Sequence, residues 1–389
     1  MKANRRKFIK QSLTTAAGMA VTALPGALSG APYGINRRPI IHEERTPSLR
    51  GSASIRFSVI GLNHGHIYGQ VDAVTRGGGQ LVGFFAKEAD LIDAFTKKYP
   101  QAKLARSEKE ILEDNSIQLV VSASIPVDRA PLGIQVMRHE KDFMVDKPGI
   151  TTLQQLEDVR KAQKETKRIY SIMYNERLEN RATVKAGELV KAGAIGKVIQ
   201  TIGLGPHRMN IKSRPEWFFK HNMYGGILCD IGSHQFDQFL FFTGSTQATV
   251  AASQVGNVHY PQYPEFEDFG DVTLRGNEGA GYIRVDWFTP DGLNTWGDGR
   301  LTILGTEGFM ELRKNVDIAG REGGNHLFIV DQKETRYIDC REVPLTYGEQ
   351  LVNDIVNRTE TAMSQQHCFL ATELALQSQK QAQKLSLKK

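Results

Sequence analysis

Short apolar runs alternate with amphipathic stretches from residue 56 to about residue 174. The runs have the length and composition of buried strands, and the stretches between them place apolar residues at helical spacing. The runs read RFSVIG, QLVGFFA, IQLVVSAS, DFMVDKP and IYSIMY. Strands that alternate with helices in this way predict an α/β domain over residues 56–174, with a parallel, doubly wound sheet of the Rossmann type.

The pattern changes after residue 174. One helical stretch, TVKAGELVKAGAIG, is followed by β-rich segments that Gly, Asp and Asn turns separate. The segments read KVIQTIGLG, TVAASQVG, DFGDVTLRG, GAGYIRVDWF, RLTILGT and HLFIVDQ. We therefore predict an α+β domain over residues 175–389 with a large, mostly antiparallel open sheet. A last helix, over about 369–386, is expected to return after this sheet, and the sequence leaves open which domain it packs against.

Composition fits this division and limits the partners. The chain has 389 residues, 40% of them hydrophobic, which suffices for two domains with substantial cores. Its net charge is +6, but five of the basic residues lie in the first 29 residues, where no acidic residue occurs. The rest of the chain carries only +1, so its charge does not indicate a nucleic-acid partner. Three scattered cysteines do not suggest a disulfide framework.

The first 29 residues resemble a twin-arginine export signal. Arg5 and Arg6 precede a mildly apolar stretch that ends in small residues. That stretch is too short and too interrupted for a stable membrane span, so we expect a signal peptide cleaved after Ser29. A basic, unstructured N-terminus is the alternative. With residues 30–55 as a linker, the chain is expected to be carried, already folded, by the twin-arginine machinery to the periplasm or another exported location.

The turn after the first predicted strand reads FSVIGLNHGHIYG. Dinucleotide-binding domains have three glycines here, which allow the backbone to approach a pyrophosphate at a helix N-terminus. Gly61 matches the first glycine, whereas Asn63 and His66 replace the second and third. His64 and His66 suggest a metal site, but the sequence places no third ligand beside them, and we predict no metal.

The end of the second strand leaves the choice between NAD and NADP open. An acidic residue that binds the adenosine ribose is common at this position. This chain has Ala86 and Lys87 there, followed by Glu88. Lys87 would favour a 2′-phosphate, Glu88 would favour the ribose hydroxyls, and a third alternative is that neither residue takes part in the choice.

The stretch YGGILCDIGSHQFDQF spaces Asp230, His234 and Asp237 in steps of four and three. On an α-helix these residues share one face, opposite the bulky apolar side chains. That face is either solvated, with Asp230 as a helix cap, or it looks into a cleft in which His234 transfers a proton.

Taken together, the glycine turn, VDKP and GGILCDIGSHQFD resemble the Gfo/Idh/MocA family, named for glucose-fructose oxidoreductase, inositol dehydrogenase and a rhizopine-catabolism protein. The resemblance covers residues 56–385. It implies a Rossmann domain, a second domain whose open sheet forms the contact of a homo-oligomer, and oxidation or reduction of a sugar or polyol carbon with NAD(P). The family's Glu-Lys-Pro corresponds to Asp146, Lys147 and Pro148, with a shorter acid. Its Asp-x-Gly-x-His corresponds to Asp230, Gly232 and His234.

This resemblance implies roles for several residues. His234 would act as the base, Lys147 would hold the substrate oxygen, and Asp230 would orient or tune this pair. The cofactor is expected to contact Gly61, Asn63, His64, His66, Lys87, Ser124, Asp146, Lys147 and Pro148. Expected contacts to a small carbohydrate substrate are Tyr174, Asn175, Arg177, His207, Arg208 and Trp217.

Three functions remain open on the sequence alone. The first is an exported oxidoreductase whose NAD or NADP is bound before export, held tightly and recycled. The second is a glycosidase that oxidises a sugar carbon transiently with NAD, eliminates the aglycone and reduces the sugar again. The third is a non-catalytic sugar-binding protein on the same scaffold.

Overall fold

The computed structural model describes residues 55–386. The predicted signal peptide and nearly all of the predicted linker lie outside this range. No helix within residues 55–386 is long and apolar enough to cross a membrane.

The first sheet has six parallel strands in the order β3-β2-β1-β4-β5-β6. Strands β4, β5 and β6 are buried along their whole length, which explains their uninterrupted apolar runs. The strands are Ile55–Ile60 (β1), Gly79–Phe85 (β2), Lys103–Leu104 (β3), Leu119–Ser122 (β4), Asp142–Asp146 (β5) and Tyr170–Met173 (β6). The predicted doubly wound Rossmann sheet is thereby confirmed.

Five helices connect these strands. Ser107 and Thr152 cap two of them, because their side chains accept hydrogen bonds from the backbone N–H groups of Glu110 and Gln155. The helices are His66–Arg76 (α1), Ala89–Lys98 (α2), Glu108–Leu112 (α3), Pro126–Arg138 (α4) and Leu153–Thr166 (α5).

The second sheet has nine strands in the order β14-β13-β12-β11-β7-β10-β9-β8-β15. All neighbours are antiparallel except β7 with β10 and β8 with β15, so the predicted mostly antiparallel sheet is confirmed. Strands β12, β14 and β15 were not predicted. The strands are Val198–Pro206 (β7), Ala248–Gly256 (β8), Phe269–Gly276 (β9), Ala280–Asp286 (β10), Arg300–Gly305 (β11), Phe309–Arg313 (β12), His326–Val330 (β13), Thr335–Asp339 (β14) and Gln383–Lys384 (β15).

Seven helices belong to the second half of the described chain, where two 3₁₀ turns, Ile211–Ser213 and Glu216–Phe219, also occur. The helices are Asn175–Leu178 (α6), Arg181–Lys191 (α7), His221–Tyr224 (α8), Ile227–Asp230 (α9), Gly232–Thr243 (α10), Tyr347–Asn357 (α11) and Gln365–Gln381 (α12).

Helix α10, which carries the histidine motif, packs closely on β7 and β10. A Cβ atom at Gly203 would lie 2.4 Å from Oε1 of Gln235, and one at Gly281 would lie 2.7 Å from the ring of Phe239. Glycine in these strands therefore allows the helix to approach the sheet.

The C-terminal helices return to the first domain. Helix α11 packs on α1, where a Cβ at Gly348 would clash with the carbonyl of Ala73. Helix α12 begins four residues before the predicted last helix, at Gln365. It contacts α10 and β8 of the second domain as well as α5 and β6 of the first, so it packs against both domains.

Candidate active site

A cavity of about 320 Å³ lies beside the carboxyl ends of β1 and β2, next to the loop that follows β4. This is where the strand order reverses, the usual ligand site of an open α/β sheet. Gly61 has φ +86°, and a Cβ atom there would lie 2.6 Å from Cβ of Ser124. The cavity lining includes Gly61, Asn63, Phe85, Ala86, Lys87, Glu88, Glu108, Ser124 and Asp128.

Asn63 holds the acid at the end of β2 in place. Its side-chain amide donates a 2.7 Å hydrogen bond to Oε1 of Glu88, while Oε2 accepts one from the backbone of Lys87. The Lys87 side chain is 77% exposed and lies 3.9 Å from a carboxylate oxygen of Glu108. Of the two residues that left the cofactor choice open, Glu88 is therefore the one with a fixed position.

Both histidines of the turn are directed at one carboxylate. Nδ1 of His64 lies 3.0 Å from Oδ2 of Asp146, and Nδ1 of His66 lies 2.9 Å from Oδ1. Burial lowers the pKa of His64 to about 4, so this ring is neutral at neutral pH. Although burial alone would raise it, His66 and Arg129 hold the pKa of Asp146 well below its usual range. The third potential metal ligand that the sequence did not place is therefore Asp146, whose oxygens already accept these hydrogen bonds.

Arg129 binds the backbone of the DKP segment, residues 146–148. Its guanidinium is fully buried and donates to the carbonyl oxygens of Asp146 (3.1 Å), Lys147 (2.6 Å) and Pro148 (3.1 Å). It also donates to the carbonyl of Ser124 at 2.7 Å. The sequence did not single out Arg129, because nothing in helix α4 indicates that this position faces inward.

Lys147 and Asp230 form an ion pair between the two domains. Nζ of Lys147 lies 2.7 Å from Oδ1 of Asp230, and the two side chains are 5% and 11% exposed. Burial alone would raise the pKa of Asp230, but the Lys147 ammonium lowers it below its usual value. The carboxylate is therefore charged, and the pair is electrically neutral.

This pair lines a cavity of about 250 Å³ with aromatic walls. The turn that lines the first cavity of about 320 Å³, here called the cofactor cavity, through Gly61 and Asn63 also lines this second cavity, here called the main cavity, through His64 and His66. The remaining lining residues include Pro126, Arg129, Lys147, His207, Arg214, Trp217, Phe218, Tyr224, Asp230, Trp287 and Trp296.

His234 lies in an adjoining, smaller cavity of about 180 Å³. The two cavities share His66, His207 and Trp296. Burial lowers the pKa of His234 to about 3, whereas the charge of Glu176 acts to raise it. Nδ1 of His234 and Oε1 of Glu176 are both buried without a hydrogen-bond partner in the described part of the chain. Oε2 of Glu176 accepts bonds from Lys314 at 2.6 Å and Gln235 at 2.8 Å.

The three polar groups of the helix motif do not share one environment. Asp230 ends α9 and meets Lys147, whereas His234 faces the smaller cavity. Asp237 is fully buried, accepts two hydrogen bonds from Arg177 (2.7 and 2.8 Å) and lies 2.8 Å from Nε2 of His367. Both a solvated helix face and a shared catalytic face are therefore incorrect for Asp237.

The predicted substrate contacts separate into two groups. Asn175 lines the smaller cavity, Trp217 lines the main cavity, and His207 lines both. Burial lowers the pKa of His207 to about 4. Arg208 lies outside these cavities, where its guanidinium donates to the carbonyl of Pro290 at 2.9 Å beside an open groove.

Tyr174 and Arg177 face the protein core instead. Tyr174 is 1% exposed, and its hydroxyl lies 3.1 Å from Oγ1 of Thr372. Arg177 is held by Asp237. Neither lines a cavity described here, because helix α12 and the motif helix cover the side chains that the strand end was expected to present. Asp146 and Pro148 likewise line none of these three cavities.

Comparison with known proteins fits this architecture. Residues 55–174 match the model of the oxidoreductase family with an NAD-binding Rossmann fold, and residues 183–311 match the GFO/IDH/MocA C-terminal domain. A solved protein of Erwinia carotovora atroseptica SCRI1043, named only as an oxidoreductase, is 46% identical with a TM-score of 0.83, covering 85% of this chain and all of that one. This chain belongs to the Gfo/Idh/MocA family. The sequence resemblance is thereby confirmed, and so is an NAD(P) cofactor.

Two more distant proteins carry specific names. The scyllo-inositol 2-dehydrogenase (NADP(+)) IolW of Bacillus subtilis (strain 168) is 26% identical over 159 residues, which are 40% of this chain and 43% of that protein. The match thus spans less than half of that relative. A levoglucosan dehydrogenase solved with NADH and levoglucosan is 15% identical over 84% of this chain and 96% of that one, with a TM-score of 0.69, and it shares the fold.

The residues around the cofactor cavity fit the family's dinucleotide. Gly61 has a positive φ and no side chain, which lets the turn pass close to Ser124, and Gly61, Asn63 and Ser124 all line the cavity. The fixed carboxylate of Glu88 stands at the end of β2, where a ribose-binding acid is common. Gly61, Asn63, Ser124 and Glu88 are therefore the residues that would hold the cofactor, although Asn63 and His66 replace two glycines.

Proposed function

We propose that the protein is an NAD(P)-dependent dehydrogenase that oxidises a secondary alcohol of a sugar, a polyol or a glycoside. The observation that carries this proposal is the buried pair of Lys147 and Asp230, in a cavity lined by the same turn, residues 61–66, that lines the cofactor cavity. A lysine held in this way donates a hydrogen bond to the oxygen that becomes an alkoxide as its proton leaves. The walls supply aromatic surface, which suits the apolar face of a sugar ring.

The chemistry needs two further partners. The C–H bond breaks with its electron pair, and a bound nicotinamide supplies the acceptor for this hydride. The hydroxyl proton goes to a base, and the carbon is left as a ketone. A neutral imidazole suits this proton transfer. We assign it to His234, because His207 and Trp296 line both the cavity of Lys147 and the cavity of His234.

Relatives support the substrate class. By their names, the Bacillus subtilis relative acts on an inositol and the structural relative on levoglucosan, which are both polyhydroxylated. We extend this class to the present chain, since the main cavity combines three tryptophans with charged and imidazole groups.

We further propose that the chain is exported and carries its cofactor with it. The support is the leader, in which Arg5 and Arg6 precede a short apolar stretch. A compartment without a dinucleotide pool requires a cofactor that is bound before export, held tightly and recycled on the protein.

A homo-oligomer formed through the open sheet is part of the proposal. Leu304 of β11 and Phe309 of β12 lie opposite each other in register and are 38% and 42% exposed. Neighbouring apolar side chains of this size on a sheet face favour association. Sedimentation or light scattering would measure the oligomeric state, and a monomer at micromolar concentration would contradict it.

The function is tested on the full chain purified after export. Absorbance and mass spectrometry report bound nicotinamide, and a panel of inositols, hexoses and aryl glycosides is then supplied. Formation of reduced cofactor together with a ketone product is the expected result. Release of phenol from aryl glycosides without net reduction would instead identify the redox-assisted glycosidase. A protein that binds a sugar, carries no nicotinamide after purification and binds none when it is added would be a non-catalytic binding protein. That result would overturn the proposal.

A further inference from the structure

Arg214 stands in the wall of the main cavity without an acidic partner. Its guanidinium lies over the rings of Phe218 (4.5 Å) and Trp287 (4.8 Å). Its hydrogen bonds run to two backbone carbonyls, those of Met209 at 3.0 Å and Arg208 at 3.4 Å. It forms no ion pair within 4.0 Å among residues 55–386, and the carboxylate whose charge acts on it, that of Asp230, is already paired with Lys147.

The other strong charges of the main cavity are matched. Lys147 is paired with Asp230 at 2.7 Å, and Arg129 lies 3.3 Å from a carboxylate oxygen of Asp146. Burial and neighbouring positive charge keep the rings of His64 and His207 neutral at neutral pH, as described above. Arg214 therefore leaves one positive charge uncompensated in a cavity whose other cations are neutralised.

A half-buried guanidinium without a counter-ion is costly, because it has lost part of its hydration and gained no ion pair. A planar guanidinium also binds a carboxylate through two parallel hydrogen bonds, which gives both strength and orientation. The two carbonyl groups take Nε and Nη2, whereas Nη1 donates to no group of residues 55–386, so the Nη1 side of the guanidinium is the one available to a ligand.

We propose that Arg214 binds a carboxylate of the substrate, so that the substrate class is a sugar acid, such as a uronic acid or its glycoside. This inference rests on the proposed function. A carboxylate carries a single negative charge and matches the single unpaired cation. A phosphate monoester carries roughly −1.5 to −2 at neutral pH and would leave the cavity with excess negative charge.

Direct binding provides the test. Isothermal titration calorimetry is performed on the full, cofactor-loaded protein with D-glucuronate, D-galacturonate and D-mannuronate, and with the methyl ester of each acid. The ester removes the charge and keeps the ring. We expect at least one acid to bind about ten- to a hundredfold more tightly than its own ester, the range of a charge-assisted hydrogen-bond pair.

Variants assign this preference to Arg214. In Arg214→Gln the ratio of acid to ester affinity should fall to about one. In Arg214→Lys the ratio should be intermediate, because lysine keeps the positive charge but cannot donate two parallel hydrogen bonds from a planar group. Lys212→Gln, an exposed lysine on the same segment, removes a neighbouring positive charge and should leave the ratio unchanged. Thermal unfolding of each variant shows whether its fold is retained.

Several results would overturn the inference. One is equal binding of all three acids and their esters. Another is a preference for the acid over its ester that is unchanged in Arg214→Gln. The third is binding of glucose 6-phosphate that depends on Arg214 and is tighter than that of any uronate. If neutral polyols are oxidised without any preference for acids, the inference fails while the proposed function stands. If a uronate binds through Arg214 but no substrate reduces the cofactor, the proposed function fails while this binding site stands.

Discussion

Nζ of Lys147 lies 2.7 Å from Oδ1 of Asp230, at the end of a strand in one domain and of a short helix in the other. Arg129 fixes the lysine's backbone from the opposite side through the carbonyls of the DKP segment. Arg129 thus holds the backbone of Lys147 in the DKP segment, and Asp230 of the second domain holds its ammonium group.

Replacing Lys147 by Met should reduce kcat/KM by a factor of roughly 10² or more, because the developing alkoxide loses its charged donor. The variant should also be destabilised by about 3 kcal/mol, since Asp230 is left buried without its partner. Steady-state kinetics and urea unfolding measure the two effects. Lys212→Met, at an exposed position, is the control. Wild-type kcat/KM in the Lys147 variant would exclude this lysine from the reaction.

Glu176→Gln should change the pH dependence of turnover. The carboxylate of Glu176 acts to raise the pKa of His234, so its loss should lower that pKa and move the acid limb of the kcat profile to lower pH. We expect kcat to fall about tenfold, because the smaller cavity also loses the ion pair of Glu176 with Lys314. Glu188→Gln, an exposed acid on α7, should leave the profile unchanged. An unchanged acid limb in Glu176→Gln would show that the charge of Glu176 does not influence the titration of His234.

Asp237 should matter for stability more than for chemistry. Arg177 and His367 both bind its carboxylate, and Asp237→Asn leaves the buried Arg177 without an opposite charge, at a cost of about 3–5 kcal/mol. Urea unfolding at pH 7 measures this loss, with the exposed Asp158→Asn as the control. A loss below about 1 kcal/mol would show that the network contributes little.

The same network predicts a pH effect on stability. Despite burial, Arg177 lowers the pKa of Asp237 below its usual value in the folded state. A depressed pKa contributes stability that is complete above the unfolded value, about 3.9, and is lost as the pH falls through the folded value. Acid unfolding of the wild type should therefore be steeper than that of Asp237→Asn. The same dependence of stability on pH in the wild type and in Asp237→Asn would contradict this prediction.

Glu88 should make the enzyme prefer NAD. Its carboxylate borders the cofactor cavity at the end of β2, where it would accept a hydrogen bond from the ribose and repel a 2′-phosphate. We expect kcat/KM to be about tenfold or more higher with NAD than with NADP, and Glu88→Gln to narrow this ratio. Glu113→Gln, an exposed acid after α3, serves as the control. A wild-type preference for NADP would assign the dominant role to Lys87.

Replacement of Arg5 and Arg6 by Lys should stop export. The twin arginines are the feature by which the leader resembles a folded-protein export signal. Fractionation of cells that express the wild type or the double variant measures the distribution, and bound nicotinamide should be found in the retained protein. Equal export of the wild type and the double variant would contradict the proposal that the twin-arginine machinery exports this protein.

The sequence determined the local elements and the positions of the two motifs. Apolar runs separated by amphipathic stretches predicted the parallel sheet, since each strand and helix encodes its own periodicity in neighbouring residues. For the same reason VDKP and DIGSH could be located as segments, one after a strand and one in a helix. Strand β12, with residues Phe309–Arg313, was missed because a five-residue alternating run is too short to stand out.

Only the tertiary structure decided which side chains meet. Asp237 was expected beside His234, yet its partners are Arg177 and a histidine 130 residues away. Arg129, Glu176 and Arg214 carry no local signal, because their surroundings are built by elements distant in the chain. Spacing along a helix fixes the direction of a side chain relative to its own helix axis, but the charge it meets depends on which surfaces pack together.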